Sequence, residues 1–188
     1  GIFPNKNEDI KTGFEKFKKE TGKENVFIGG EYHFDYYFLN KLKEKDLITL
    51  NNSDYVLIEL NNTEEPTDLK NVVYQTQLNG YIPIIAHPER YIYFQSNIKK
   101  VIELKEMGAL FQGSLTSFSE YQSKKSQNTS FEFLKKDIYD YLSTDIHRIQ
   151  FLKEYFNDII KQITKKIKSD KLEALFYYNA LNTIFKRR

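Results

Sequence analysis

Glu31, Glu59, His87, Gln112 and Asp145 occupy the same place in the pattern of this sequence, each following a short apolar run. The runs are Val26-Phe27-Ile28, Tyr55 to Ile58, Ile82 to Ala86, Ala109 to Phe111 and Ile138 to Ser143. Glu31 and Glu59 are 28 residues apart, Glu59 and His87 are again 28 apart, and Gln112 follows His87 by 25. That spacing is one strand-helix unit. Carboxylates and imidazoles repeated at the period of the structural unit converge on one rim of a parallel sheet or barrel, which is the geometry of a polynuclear metal site. Glu59 carries the reading furthest, because an ionised carboxylate at the end of a buried strand needs a partner or a cation. Glu31, beside Gly30, would alone read as a surface carboxylate, and its place in the series raises it. Asp145-Ile146-His147 puts two ligand types on one side of an extended segment through the two-residue alternation. His33 lies outside the series and reads as a surface or aromatic-cluster residue.

His87-Pro88-Glu89-Arg90 is more specific: an imidazole at a strand end, a proline forcing an extended exit, and an arginine at the rim. Its duller reading is a loop with an ion pair. A guanidinium is suited to bidentate grip on a phosphate, and beside a cationic metal Arg90 would serve as an anion clamp. Tyr91, Tyr93 and Phe94 follow, able either to wall an aromatic substrate or to pack in the core.

The elements that must position these groups follow from periodicity and punctuation. Asn7 is placed to cap a helix with Ile10, Phe14 and Phe17 on one face, closed by Gly22. A strand is expected over 25–29, a helix over 34–45, a strand over 55–58, a helix over 66–78 and a strand over 82–86. Then come a helix over 97–107, a strand over 109–112, a helix over 129–136 and a strand over 138–142. Strands alternating with helices argue for parallel pairing through right-handed crossovers. From about residue 149 two amphipathic helices, over 151–167 and 172–185, close or cap the structure. The 188 residues read as a single domain.

Composition removes several classes. There is no Cys, so disulfides, thiolate metal sites and a cysteine nucleophile are excluded. A net charge of +2, with both signs interleaved, gives no field for nucleic-acid binding, and none is expected. No apolar run approaches the ~20 residues of a membrane span. No leader pattern opens the chain, so the expected compartment is the cytoplasm.

Gly30-Glu31-Tyr32, Tyr55 to Leu60, Gly80 to Tyr91, Gly113-Ser114-Leu115 and Ser143 to His147 together resemble the bacterial capsule-locus tyrosine phosphatases of the polymerase-and-histidinol-phosphatase (PHP) superfamily. The resemblance implies an α/β fold, a distorted (β/α)7 barrel. It implies up to three divalent metal ions, commonly manganese, with iron, zinc or magnesium as alternatives. Its implied substrate is a phosphotyrosine protein, such as the tail of a tyrosine kinase in capsule or exopolysaccharide control. Carried over by position, Glu31, Glu59, His87, Asp145 and His147 are metal ligands, Arg90 holds the phosphoryl group, and Arg90 and Tyr91 contact the substrate. The family's opening His-x-His pair is absent, since the three histidines are His33, His87 and His147. With a barrel of about 250 residues as the standard, the first two strand-helix units are expected to be missing, making the sequence a fragment of a longer phosphatase. The start at Gly1 without Met fits trimming. Two other functions fit the same residues: a catalytically incomplete phosphotyrosine-binding or regulatory module, and a small-molecule phosphoesterase of the same superfamily. Oligomeric state is not legible in the sequence.

Overall fold

The protein is described here by a computed structural model covering residues 6–119 and 121–186. Five strands, β1 (Glu31–His33), β2 (Tyr55–Glu59), β3 (Ile82–Ala86), β4 (Leu110–Ser114) and β5 (Tyr141–Ser143), form one sheet in sequence order. Every pairing is parallel. The strand order of a sheet built one unit at a time brings all five carboxyl ends to the same side.

Helices α1 (Asn7–Thr21), α2 (Tyr36–Glu44), α3 (Leu69–Leu78), α4 (Ile92–Ser96), α5 (Ile98–Glu106), α6 (Lys124–Lys135) and α7 (Ile149–Thr164) supply the connections and the C-terminal layer. Their starts are chemically marked: the Asp35, Asp68, Asn97 and Ser123 side chains accept backbone N–H groups at the heads of α2, α3, α5 and α6. The main core lies on one face of the sheet, where Val56, Ile58, Ile85 and Phe111 pack with Val72, Val73, Val101, Leu104 and Phe133 from the helices. The other face carries Leu57, Ile84, Ala86 and Tyr141 and is covered by Ile184, with Ala180 and Phe185 beside it. The C-terminal segment thus caps the sheet. It does so through α8 (Ser169–Glu173), a wider π turn at Ala174–Tyr178, and α9 (Asn179–Asn182).

Several boundaries differ from the sequence reading. The first strand lies at Glu31–His33 instead of 25–29. Val26 to Gly30 runs as irregular chain tied to the segment before β2, with Gly30 N–H donating to Ile48 O and Asn51 N–H to Ile28 O. Phe27 is 51% exposed there, so the apolar run that looked like a buried strand packs only its alternate residues. Asn7 begins α1 without capping it, and its amide donates to the Asp46 carboxylate at 2.6 Å. Helix α6 starts five residues before the expected 129, because the Ser123 cap outweighs a polar run with no apolar period. The expected strand 138–142 forms at Tyr141–Ser143. Among the described residues no helix is long and apolar enough to cross a membrane.

Candidate metal and anion site

Register decides which strand-end groups meet. Pairing aligns Glu31 with Leu57 and His33 with Glu59, so His33 stands level with Glu59 and Glu31 two residues before it. The β3 strand ends at Ala86, and His87 then takes a left-handed conformation, φ 30° and ψ 56°, which is strained for a residue other than glycine. This bend turns the imidazole along the strand ends. Its Nε2 lies 3.3 Å from Glu31 Oε1 and 3.4 Å from Glu59 Oε1. His33 Nδ1 stands 3.9 Å from the other oxygen of Glu59.

The electrostatics of the group follow from this packing. Burial alone would push the His87 imidazolium down, but hydrogen bonds to Glu31 and Glu59 outweigh it and raise its pKa to about 9. Reciprocally, the hydrogen bond from His87 holds the Glu59 carboxyl below its ordinary value, against the opposing effect of burial. A proton on Nε2 therefore bridges two carboxylates. The other ring nitrogen, Nδ1, is buried without a hydrogen-bond partner.

The donor set fits a divalent ion. Ligand atoms of Glu31, Glu59 and His87 all lie within 4.8 Å of one another, the one such group among the described residues. With bonds of about 2.0–2.2 Å, donors sharing an ion sit about 3.0–3.5 Å apart, which brackets the 3.3 and 3.4 Å separations around His87. Mixed carboxylate and imidazole donors suit first-row divalent metals.

Arg90 builds the second half of the site. It ends the Pro88–Arg90 turn, and its Nη2 donates to Ser114 Oγ at 2.8 Å, to Thr116 Oγ1 at 2.7 Å and to Asp145 Oδ2, while Nε donates to Ser117 Oγ at 3.2 Å. These hydroxyls come from the end of β4 and the turn that follows it. Below them Glu89 is fully buried, accepting from Ser114 N–H at 3.0 Å and from the Tyr139 hydroxyl at 3.1 Å. That pins the Pro88–Arg90 turn to β4. A cleft of about 340 Å³ opens beside Arg90, bordered by Asn62, Thr63, Ile92, Gln95 and Lys125.

Of the residues expected to act, Glu31, Glu59 and His87 come together. Asp145 and His147 do not join them: the Asp145 carboxylate lies on Arg90, and His147, its side chain 79% exposed, lies 3.2 Å from the other Asp145 oxygen. Asp145 itself has φ 47°, a left-handed turn that carries its side chain toward β4. Tyr91 cannot wall a substrate, since it is wholly enclosed in the core. His33, read from the sequence as a surface or aromatic-cluster residue, lies half-exposed at the edge of this group, two residues from Glu31. Sequence reasoning missed Ser114, Thr116, Ser117 and Glu89 as a framework for Arg90. A hydroxyl-rich stretch after β4 was the available signal.

Parallel strands bring together an acidic and imidazole group that could hold a metal ion and, in the turn after β3, an arginine braced by hydroxyls. The family model for capsular polysaccharide synthesis, CpsB/CapC, matches residues 3–185, and the chain belongs to that family. It is 29% identical over 188 residues to tyrosine-protein phosphatase CpsB of Streptococcus pneumoniae, covering 95% of this chain and 77% of the relative. Against CapC of Staphylococcus aureus it is 31% identical over 138 residues, covering 71% of this chain and 54% of the relative, so that match spans about half of CapC. A chain from the crystal structures of YwqE from Bacillus subtilis and CpsB from Streptococcus pneumoniae, described as unique metal-dependent tyrosine phosphatases, superposes with a TM-score of 0.83 at 24% identity. That superposition covers 96% of this chain and 75% of the other.

Proposed function

We propose that this protein is a metal-dependent protein-tyrosine phosphatase that hydrolyses phosphotyrosine on a protein such as a capsule-controlling tyrosine kinase. The observation that carries the reading is the Glu31–Glu59–His87 group drawn from β1, β2 and the exit of β3, together with the braced Arg90 three residues after His87. The names of its CpsB and YwqE relatives support it. In this reading the sheet is part of a distorted (β/α)7 barrel, and the protein works in the cytoplasm. Manganese is the proposed ion, with Asp145 and His147 available to further ions of a complete site.

A divalent ion held by Glu31, Glu59 and His87 would supply Lewis-acid polarisation of the phosphoryl oxygens and activation of water for in-line attack. The chain's own residues do the rest. Arg90 neutralises charge on the equatorial oxygens, its fork held in one plane by Ser114, Thr116 and Ser117. The cleft beside Arg90 receives the aryl group. A phenolate leaving group, with a pKa of about 10, needs less proton assistance than an alkoxide.

Hydrolysis of a phosphotyrosine peptide and of p-nitrophenyl phosphate with added Mn²⁺ tests the reading. Turnover lost on chelation and reduced at least a hundredfold by Arg90→Ala is the expected result. Tight binding of the peptide without turnover would assign a recognition module instead. Preference for a small aliphatic phosphate would overturn the tyrosine assignment.

A further inference from the structure

Tyr91 lies between the two strands that deliver Glu59 and His87, and its hydroxyl touches both. It accepts the Leu60 N–H at 2.9 Å and donates to Ala86 C=O at 2.8 Å. Leu60 N–H belongs to the peptide unit leaving Glu59, and Ala86 C=O to the one entering His87. The β2–β3 ladder stops at Ile58 opposite Ile85, so the hydroxyl stands in for a rung just beyond the last regular pair. The far side of each peptide unit is also tied down: Glu59 C=O accepts from Phe34 N–H at 2.8 Å, and His87 N–H donates to Gln112 C=O at 2.7 Å.

The ring is as firmly placed as the hydroxyl. It is fully buried, stacked on Tyr93 at 5.6 Å and 6°, and edge-on to Phe94 at 5.5 Å. It also meets the His87 ring at 5.6 Å and 61°. Burial pushes the phenol well above its ordinary pKa, so the hydroxyl keeps the proton it donates. A buried phenol needs hydrogen-bond partners in any case; what is particular here is that its two partners lie one residue from a ligand on each strand.

We infer that Tyr91 is a positioning residue for the metal centre, its hydroxyl setting the separation of the strand ends and hence of Glu59 from His87. The inference rests on the metal-centre reading above. Without the oxygen, Leu60 N–H and Ala86 C=O are free to close into a direct rung or to drift, and either movement displaces both ligands. Groups that orient metal ligands characteristically change affinity by 10–100-fold when removed.

The test compares Tyr91→Phe with Tyr93→Phe by calorimetric titration of Mn²⁺ into the metal-free protein and by the visible spectrum of the Co²⁺-loaded form. Tyr93→Phe is the matched control, since it removes a single hydroxyl that donates to Asn61 C=O at 2.9 Å in the same aromatic stack. The expected result is a loss of about tenfold or more in Mn²⁺ affinity and a shifted Co²⁺ spectrum for Tyr91→Phe alone, with both variants folded by circular dichroism. Equal affinities and spectra in wild type and Tyr91→Phe, with wild type binding metal, would overturn the positioning role while leaving the metal centre intact. A Tyr91→Phe variant that fails to fold would assign the hydroxyl to stability and also overturn it. Wild-type protein that binds neither ion would overturn the metal centre, and this inference with it.

Discussion

The Asp145 carboxylate rests on the guanidinium of Arg90, sharing Nη2 with the hydroxyls of Ser114 and Thr116. Both side chains are largely shielded, Arg90 at 15% and Asp145 at 14% exposure. In this arrangement a protein carboxylate occupies a donor direction that a phosphoryl oxygen would use, so Asp145 competes with the anion. Asp145→Asn is expected to raise the affinity of the metal-free protein for inorganic phosphate about tenfold, the scale of one charge-assisted hydrogen bond. Phosphate titration followed by ³¹P NMR measures it. Unchanged affinity would show that Asp145 does not compete with the anion for Arg90.

Proton and metal compete for His87. Because its imidazolium, raised to about 9, bridges Glu31 and Glu59, each ion bound below that pH must release a proton. Affinity for Mn²⁺ is expected to climb up to tenfold per pH unit from about 7 to 9 and to level off above. Calorimetry in buffers of different ionisation enthalpy counts the proton. A pH-independent affinity would contradict the shared site.

The same shift has a stability consequence of opposite sign. A folded-state pKa raised from 6.5 to about 9 contributes stability that is complete below 6.5 and lost as pH rises through 9. The contribution is of order 3 kcal/mol. Urea unfolding of the metal-free protein at pH 6, 8 and 10 should show the decline, and His87→Gln should abolish it.

Glu89 holds Arg90's turn against β4 from inside the core. Its replacement by Ala strands the Ser114 N–H and removes the acceptor of the Tyr139 hydroxyl, both buried. A loss of about 3–5 kcal/mol is expected for Glu89→Ala, against a smaller loss for Glu89→Gln, which keeps one acceptor. Chemical denaturation of the pair decides it; equal small effects would refute the tether.

Gly113 leaves no room for a methyl group. A Cβ there would sit 2.6 Å from Tyr139 Cε1 and 2.8 Å from Leu142 Cδ2. Gly113→Ala should cost about 1–3 kcal/mol by overpacking and, because Ser114 is the next residue, weaken phosphate binding as well. Thermal melts and the ³¹P titration read the two effects separately.

Much of the architecture was readable before the fold was seen. Tyr55 to Ile58 and Ile82 to Ala86 are apolar runs bounded by turn residues, and they form buried central strands at those positions. The short edge strands β1 and β5 were displaced from their expected places. An edge strand pairs on one side only, so its position follows from its neighbour's register more than from its own composition.

For the site, the sequence determined that acidic and imidazole groups would stand at the ends of successive strands, since the strand-helix period is local and survives translation into space. Glu59 at the end of β2 and His87 after β3 stand together for that reason, whereas Glu31 opens the short strand β1 and joins them through that strand's pairing with β2. Only the tertiary structure decided the remaining partnerships. The left-handed turns at His87 and Asp145 aim one side chain along the strand ends and the other at Arg90. Tyr91 goes inward to join two strands, and His33 is drawn to the edge of Glu59 by strand pairing. Side-chain direction at a strand exit depends on one or two backbone angles and on contacts across the sheet. Neither is written in the residues that flank the exit.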